Sequence, residues 1–126
     1  MLLIVDAHAL LWALEGPTSR MTASARHAIA DPANDVVVSA ATIWEIEVKR
    51  AAGRLTSPDN LLSIVDATRI DVVPVTGADA TVAARLATHH RDPFDRLVIA
   101  QAARLDATVV TRDRAFAAYD VPVLVA

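Results

Sequence analysis

Short runs that are apolar at every position alternate along this chain with longer stretches whose apolar residues recur at helical spacing. Leu2–Val5 is the first such run, and Asp6 closes it. A run with no polar alternation fits a strand covered on both faces. Ala7–Leu14 repeats apolar residues at the helical period until Gly16-Pro17 stops it. The same logic predicts a helix over Thr22–Ala30, a strand at Val36–Val38 and a helix over Ala41–Ala52 closed by Gly53. After Ser57-Pro58, Asp59 is placed to cap a helix reaching Thr68. A third strand follows at Val72–Val75 and a helix at Ala78–Thr88. Asp92 and Pro93 read as N-cap and first helical residue of Pro93–Leu105. Thr108–Val110 is a fourth strand, Arg114–Ala118 a short helix and Val121–Val125 a last strand.

Buried strands separated by helices predict an α/β fold with a central parallel sheet and right-handed crossovers. At 126 residues, without repeat or linker, residues 1–126 read as one domain able to bury a core unaided. Hydrophobic residues make up 54%, which argues against disorder. Cysteine is absent, so any metal ligands are carboxylates or the histidines His8, His27, His89 and His90. That absence suits a reducing cytoplasm. No apolar run is long enough for a membrane span. The opening residues lack a basic segment and read as strand and helix, not as a signal peptide. The net charge of −3 does not announce a nucleic-acid binder, but every basic residue except Lys49 is arginine, whose planar fork suits phosphate.

In open parallel sheets, ligands bind beyond the carboxyl ends of the strands. Asp6 follows the first strand directly, and Asp113 follows the fourth within Thr111-Arg112-Asp113. Glu45 lies one turn into the helix after the second strand, and Asp95 in the first turn of the helix before the fourth. Each has an ordinary explanation. Asp6 and Asp113 can cap the helices that follow them, Glu45 can pair with Lys49, and Asp95 can join a cap with Asp92. Together they suggest more. Like charges ~4 Å apart repel by about 4 kcal/mol at an effective dielectric near 20. A cluster of four therefore calls for shared protons or a bound cation, and oxygen ligands select Mg²⁺ or Mn²⁺. Such ions activate water and neutralise charge on phosphoryl oxygens, which points to phosphodiester hydrolysis.

LLIVDAHALLWAL, SAATIWEIEVKRAAGRL, HHRDPFDRLVIAQA and VVTRDRAF, in that order and spacing, resemble a PIN-domain toxin ribonuclease of the VapC type. The resemblance spans essentially the whole chain. It implies a three-layer αβα PIN-like domain whose five parallel strands run in the order 3-2-1-4-5. It further implies a Mg²⁺- or Mn²⁺-dependent endoribonuclease, with Asp6 and Asp95 as principal metal ligands and Glu45 and Asp113 completing the site. A cognate antitoxin, a homodimer and a structured RNA substrate such as tRNA or rRNA follow from the same likeness. Two positions depart from the family pattern: Ala7 stands where a hydroxyl residue is common, and Arg114 where an acid is frequent.

Around these acids, Thr111 is a candidate contact to phosphate or to a metal-bound water. Arg91, Arg96, Arg112 and Arg114 are candidate RNA-phosphate contacts, with Arg50 and Arg54 as further rim positions. His89 and His90 are expected to be exposed or capping, and His8 is a possible neighbour of Asp6. Trp12 and Trp44 are expected to pack in the core or a dimer face. One rival reading is a catalytically silent PIN-like module that binds antitoxin or RNA without cleaving it. Another, a phosphatase with Asp6 as covalent nucleophile, wants an acid two residues on, where His8 stands.

Overall fold

In the computed structural model, which describes residues 1–17 and 19–126, five strands form one parallel sheet. They are β1 (Leu2–Val5), β2 (Asp35–Ser39), β3 (Asp71–Val73), β4 (Thr108–Thr111) and β5 (Val123–Val125), in the order β3-β2-β1-β4-β5. This is the order the family likeness implies. Helices α1 (Ala7–Glu15), α2 (Ala23–Ala30), α3 (Ala40–Ala51), α4 (Leu61–Asp66), α5 (Gly77–Arg85) and α6 (Pro93–Leu105) connect the strands. Residues Arg114–Ala118 form a 3₁₀ turn.

The central strands β1, β2 and β4 are largely buried, as a covered parallel sheet requires, while the edge strands β3 and β5 stay partly exposed. Leu3 and Val5 of β1 join Leu10, Ile46, Leu61 and Val65 in one core layer. Ile4, between them, joins Val98, Ile99, Val109 and Phe116 in the other. Fully burying one such aliphatic side chain is worth about 1.5–3 kcal/mol, so β1 is the most heavily anchored strand of the sheet. Its pairing sets the functional edge: Val5 lies opposite Val38 on one side and Val110 on the other. Asp6, Ser39 and Thr111 therefore leave three adjacent strands at the same level.

Several boundaries differ from the sequence reading, each for a local reason. β3 stops at Val73 rather than Val75 because Pro74 has no N–H to give a neighbouring strand. β5 starts at Val123 rather than Val121, just after Pro122. α4 begins at Leu61, with Asn60 rather than Asp59 at the cap position. α5 ends at Arg85, short of Thr88, and Arg96 takes up carbonyls of its last turn and of the loop beyond it. Its Nε donates to Ala83 O, and its terminal nitrogens donate to the carbonyls of Ala84, Leu86, Ala87 and His90. One guanidinium thus holds the loop between α5 and α6. A second tie joins these helices: Arg104 donates to both carboxylate oxygens of buried Asp79, at 2.7 and 3.0 Å. That partner holds the Asp79 carboxyl down at about 2.

Candidate active site

The acids arrive at the sheet edge as parts of helix starts. Asp6 is the N-cap of α1, and its Oδ1 accepts from Ala9 N at 2.9 Å. Asp113 caps the 3₁₀ turn, with Oδ1 accepting from Ala115 N at 2.9 Å. The N-cap of α6 is Asp92, which accepts from the amides of Phe94 and Asp95 and so sets Asp95 in the first turn. Ser39 caps α3, which brings Glu45 round to the same edge, almost fully buried and paired with Lys49. The ordinary roles expected of Asp6, Asp113 and Glu45 are therefore all present.

They do not exclude a joint role, because a carboxylate has two oxygens. Asp6 and Asp113 each spend Oδ1 on a helix cap and turn Oδ2 elsewhere. Asp6 Oδ2 accepts a short hydrogen bond from the Thr111 hydroxyl, at 2.5 Å. Asp113 Oδ2 lies 2.9 Å from His90 Nε2, and Asp95 Oδ2 lies at the same distance from that nitrogen. All four acids, with Asp92, His8, Lys49 and Arg112, line one cleft of about 420 Å³.

The electrostatics are those of a crowded acidic site. Burial pushes the Asp95 carboxyl up to about 8, helped by the charges of Asp92, Glu45, Asp6 and Asp113. Burial also raises Asp6, against the opposing pull of its hydrogen bonds from Thr111 and Ala9. Two buried acids that resist ionising beside further carboxylates form a site that favours a cation.

His90 is the residue whose place the sequence reading missed. It is neither a free surface histidine nor a helix cap. Its backbone N–H donates to the Tyr119 hydroxyl, its ring packs edge-on against Phe116, and its Nδ1 accepts from Asp92 N. With Nδ1 accepting, the ring proton sits on Nε2 and points between Asp95 and Asp113. The nearest sequence signal was its position two residues before the capping Asp92. The two facing carboxylate oxygens lie within 4.8 Å of each other and of Nε2, a spacing that would let the carboxylates share a metal ion.

The remaining candidates divide. Thr111 is buried, donates to Asp6 and accepts from Asp113 N at 3.0 Å, so it orients two acids rather than meeting substrate. Arg96 does not fit the expected RNA contact, because the α5–α6 carbonyls occupy its guanidinium. Arg112 lines the cleft but is anchored: it donates to Ala126 O and Arg20 O and stacks on Trp12 at 4.3 Å. Arg91 and Arg114 are exposed, each next in sequence to a cleft residue, Asp92 and Asp113. His8 is exposed and tilts against Trp12, a partly buried residue at the margin of the core. Trp44 is 63% exposed, with its edge on Phe94.

No curated protein is recognisably similar to the chain in sequence. Solved structures share its fold. A chain of VapBC2 from Rickettsia felis, bound to a promoter DNA fragment, superposes with a TM-score of 0.71 at 15% identity, covering 98% of both chains. DNA-bound VapBC from Salmonella typhimurium gives 0.69 at 17% identity over 98% of both chains. FitAcB from Neisseria gonorrhoeae gives 0.65 at 20% identity, covering 98% of this chain and 96% of that one. The PIN domain family pattern matches residues 3–122, and the chain belongs to the PIN-domain family.

Proposed function

We propose that this chain is a Mg²⁺- or Mn²⁺-dependent endoribonuclease and the toxin half of a VapC-type toxin–antitoxin pair. The observation that carries the reading is the convergence of Asp6, Glu45, Asp95 and Asp113 on one cleft, with Asp95 held at about 8. The donor set fits a hard divalent ion: carboxylate oxygens, with no sulfur. Asp95 and Asp113 would hold the ion beside His90, with Asp6 and Glu45 completing the acidic wall. When bound, the ion would lower the pKa of a coordinated water and neutralise charge on a phosphoryl oxygen.

The protein's own residues do the positioning. The Ala9 amide and Thr111 hydroxyl fix the Asp6 carboxylate from both sides. Thr111 also ties the backbone of Asp113 to the same point. Exposed Arg91 and Arg114, next in sequence to the cleft residues Asp92 and Asp113, would meet RNA phosphates, and Arg112 adds charge inside the cleft. A structured RNA such as tRNA or rRNA is the substrate class, cut to a 5′-phosphate and a 3′-hydroxyl, in the cytoplasm. An antitoxin partner is supported by the VapBC and FitAcB complexes that share the fold. A homodimer is supported by Trp44 and Val48, 63% and 45% exposed one turn apart on α3. Trp44→Glu should leave a monomer in sedimentation, and a monomeric wild type would remove the dimer from the reading.

The decisive experiment incubates purified chain with RNA in Mg²⁺, in Mn²⁺ and in chelator. Cleavage should require the ion and vanish in Asp95→Asn. Cleavage that survives the chelator, or an Asp95→Asn protein that cuts normally, would refute the proposal. Intact RNA under every condition would favour a silent binding module instead.

A further inference from the structure

The acidic cleft already contains a cation. Lys49, the single lysine of the chain, places Nζ 2.6 Å from Glu45 Oε2. The pair spans one turn of α3, and both partners line the cleft. Asp92 and Asp95 also act on the ammonium, and together with Glu45 they favour its charged form. A lysine ammonium is a compact point charge with three donors, closer to a small hydrated ion than arginine's flat fork. Its placement on α3 is fixed by the helix itself, so it moves with Glu45.

The acids are unequally available. Nε2 of His90 and one oxygen each of Asp95 and Asp113 crowd within 4.8 Å of one another, and Glu45 stands outside that group. One Glu45 oxygen is taken by Lys49, and the two Asp6 oxygens by Ala9 and Thr111. Nucleases that use two metal ions hold them ~3.5–4 Å apart through shared carboxylates. Here the Glu45 side of such a pair is occupied by the ammonium.

Building on the nuclease reading, we propose that Lys49 is a resident cation that takes the second ion's place, so that the cleft binds one divalent ion, at the Asp95–Asp113 corner beside His90. Lys49 is a positioning residue in this arrangement: it neutralises Glu45 and confines the divalent ion to the opposite corner.

The test counts Mn²⁺ bound per chain, by the electron paramagnetic resonance of free Mn²⁺ at equilibrium, with folding checked by circular dichroism. Wild type should bind one ion, Lys49→Met two, and Lys49→Arg one, because arginine restores the charge. Adding Glu45→Gln to Lys49→Met should return the count to one, since the second ion then loses its carboxylate. Two ions in wild type, or one in a folded Lys49→Met protein, would overturn the role of Lys49 while leaving the nuclease reading standing. No bound Mn²⁺ in wild type would overturn both. A lysine that merely packs against α3 would not change the count.

Discussion

Asp95→Asn is expected to stabilise the metal-free protein, by an amount that grows with pH. In the unfolded chain this carboxyl ionises near 3.8, and in the folded one near about 8. Below 3.8 both states carry the proton, so Asp95 costs nothing there. As pH rises between the two values, the unfolded state has lost the proton and the folded state still holds it, so stability falls. Above about 8 the loss is complete. At 1.36 kcal/mol per unit, the full interval corresponds to a ceiling of about 5–6 kcal/mol. The side chain keeps 17% exposure and has His90 Nε2 at 2.9 Å, both of which ease the charge. About 2–4 kcal/mol is the realistic penalty once that relief is counted. Asparagine keeps the shape and cannot ionise, so it removes the penalty.

The assay is urea denaturation of wild type and variant in chelator, at a pH near 4 and again above 8. With a urea slope of about 1–3 kcal/mol per molar, the variant's midpoint should exceed that of wild type by about 1–2 M at the higher pH. Near pH 4 the two should nearly coincide. Groups remote from Asp95 contribute alike to both proteins, so the difference reports on Asp95 and the acids around it. Saturating Mg²⁺ should then narrow or close the gap, because an ion at 100 times its Kd adds about 2.7 kcal/mol to a native state that binds it. A difference that stays flat with pH, or a variant less stable than wild type at the higher pH, would refute the crowded-acid argument.

Thr111→Val keeps the shape but strips Asp6 of a buried donor, at a cost of about 1–3 kcal/mol, while Thr111→Ser should retain both stability and cleavage. RNA cleavage by the valine variant should fall by about tenfold or more, and an unchanged rate would remove Thr111 from the site. Arg96→Lys cannot reproduce a fork that reaches five carbonyls, so it should lose about 2–4 kcal/mol in thermal unfolding. Hydrogen exchange should quicken in the segment from Ala83 to His90, and unchanged exchange there would count against the clamp. Arg104 holds Asp79 at about 2, so that pair's stabilisation is present above 3.8 and fades as pH falls toward 2. Asp79→Asn should flatten this acid slope in urea titrations, and an identical slope would show that the pair is not its source.

How far the sequence revealed the molecule follows from which contacts were local. The sheet was legible because the middle positions of β1, β2 and β4 form unbroken apolar runs, a pattern that fits a strand covered on both sides. Residues Asp6, Glu45, Asp95 and Asp113 were legible because each stands at a fixed offset from a strand end or helix start. Their competing explanations as caps and pairs are equally visible in the structure, and the conflict between the two disappears at the level of atoms. Asp6 and Asp113 give Oδ1 to a helix and Oδ2 to the site, so one residue type at one position meets both demands. His90 and Arg96 were misread for the opposite reason. The place of His90 depends on Tyr119 and Asp113, 29 and 23 residues away, which no local pattern reports. Arg96 follows directly on Asp95, yet its side chain turns to carbonyls at the end of α5 and in the loop beyond, including that of His90 itself. The arginine expected to meet RNA therefore holds the backbone of the very histidine expected to be idle. Loss of Arg96 would free the loop that carries His90 into the acidic corner, so the clamp and the candidate site stand or fall together.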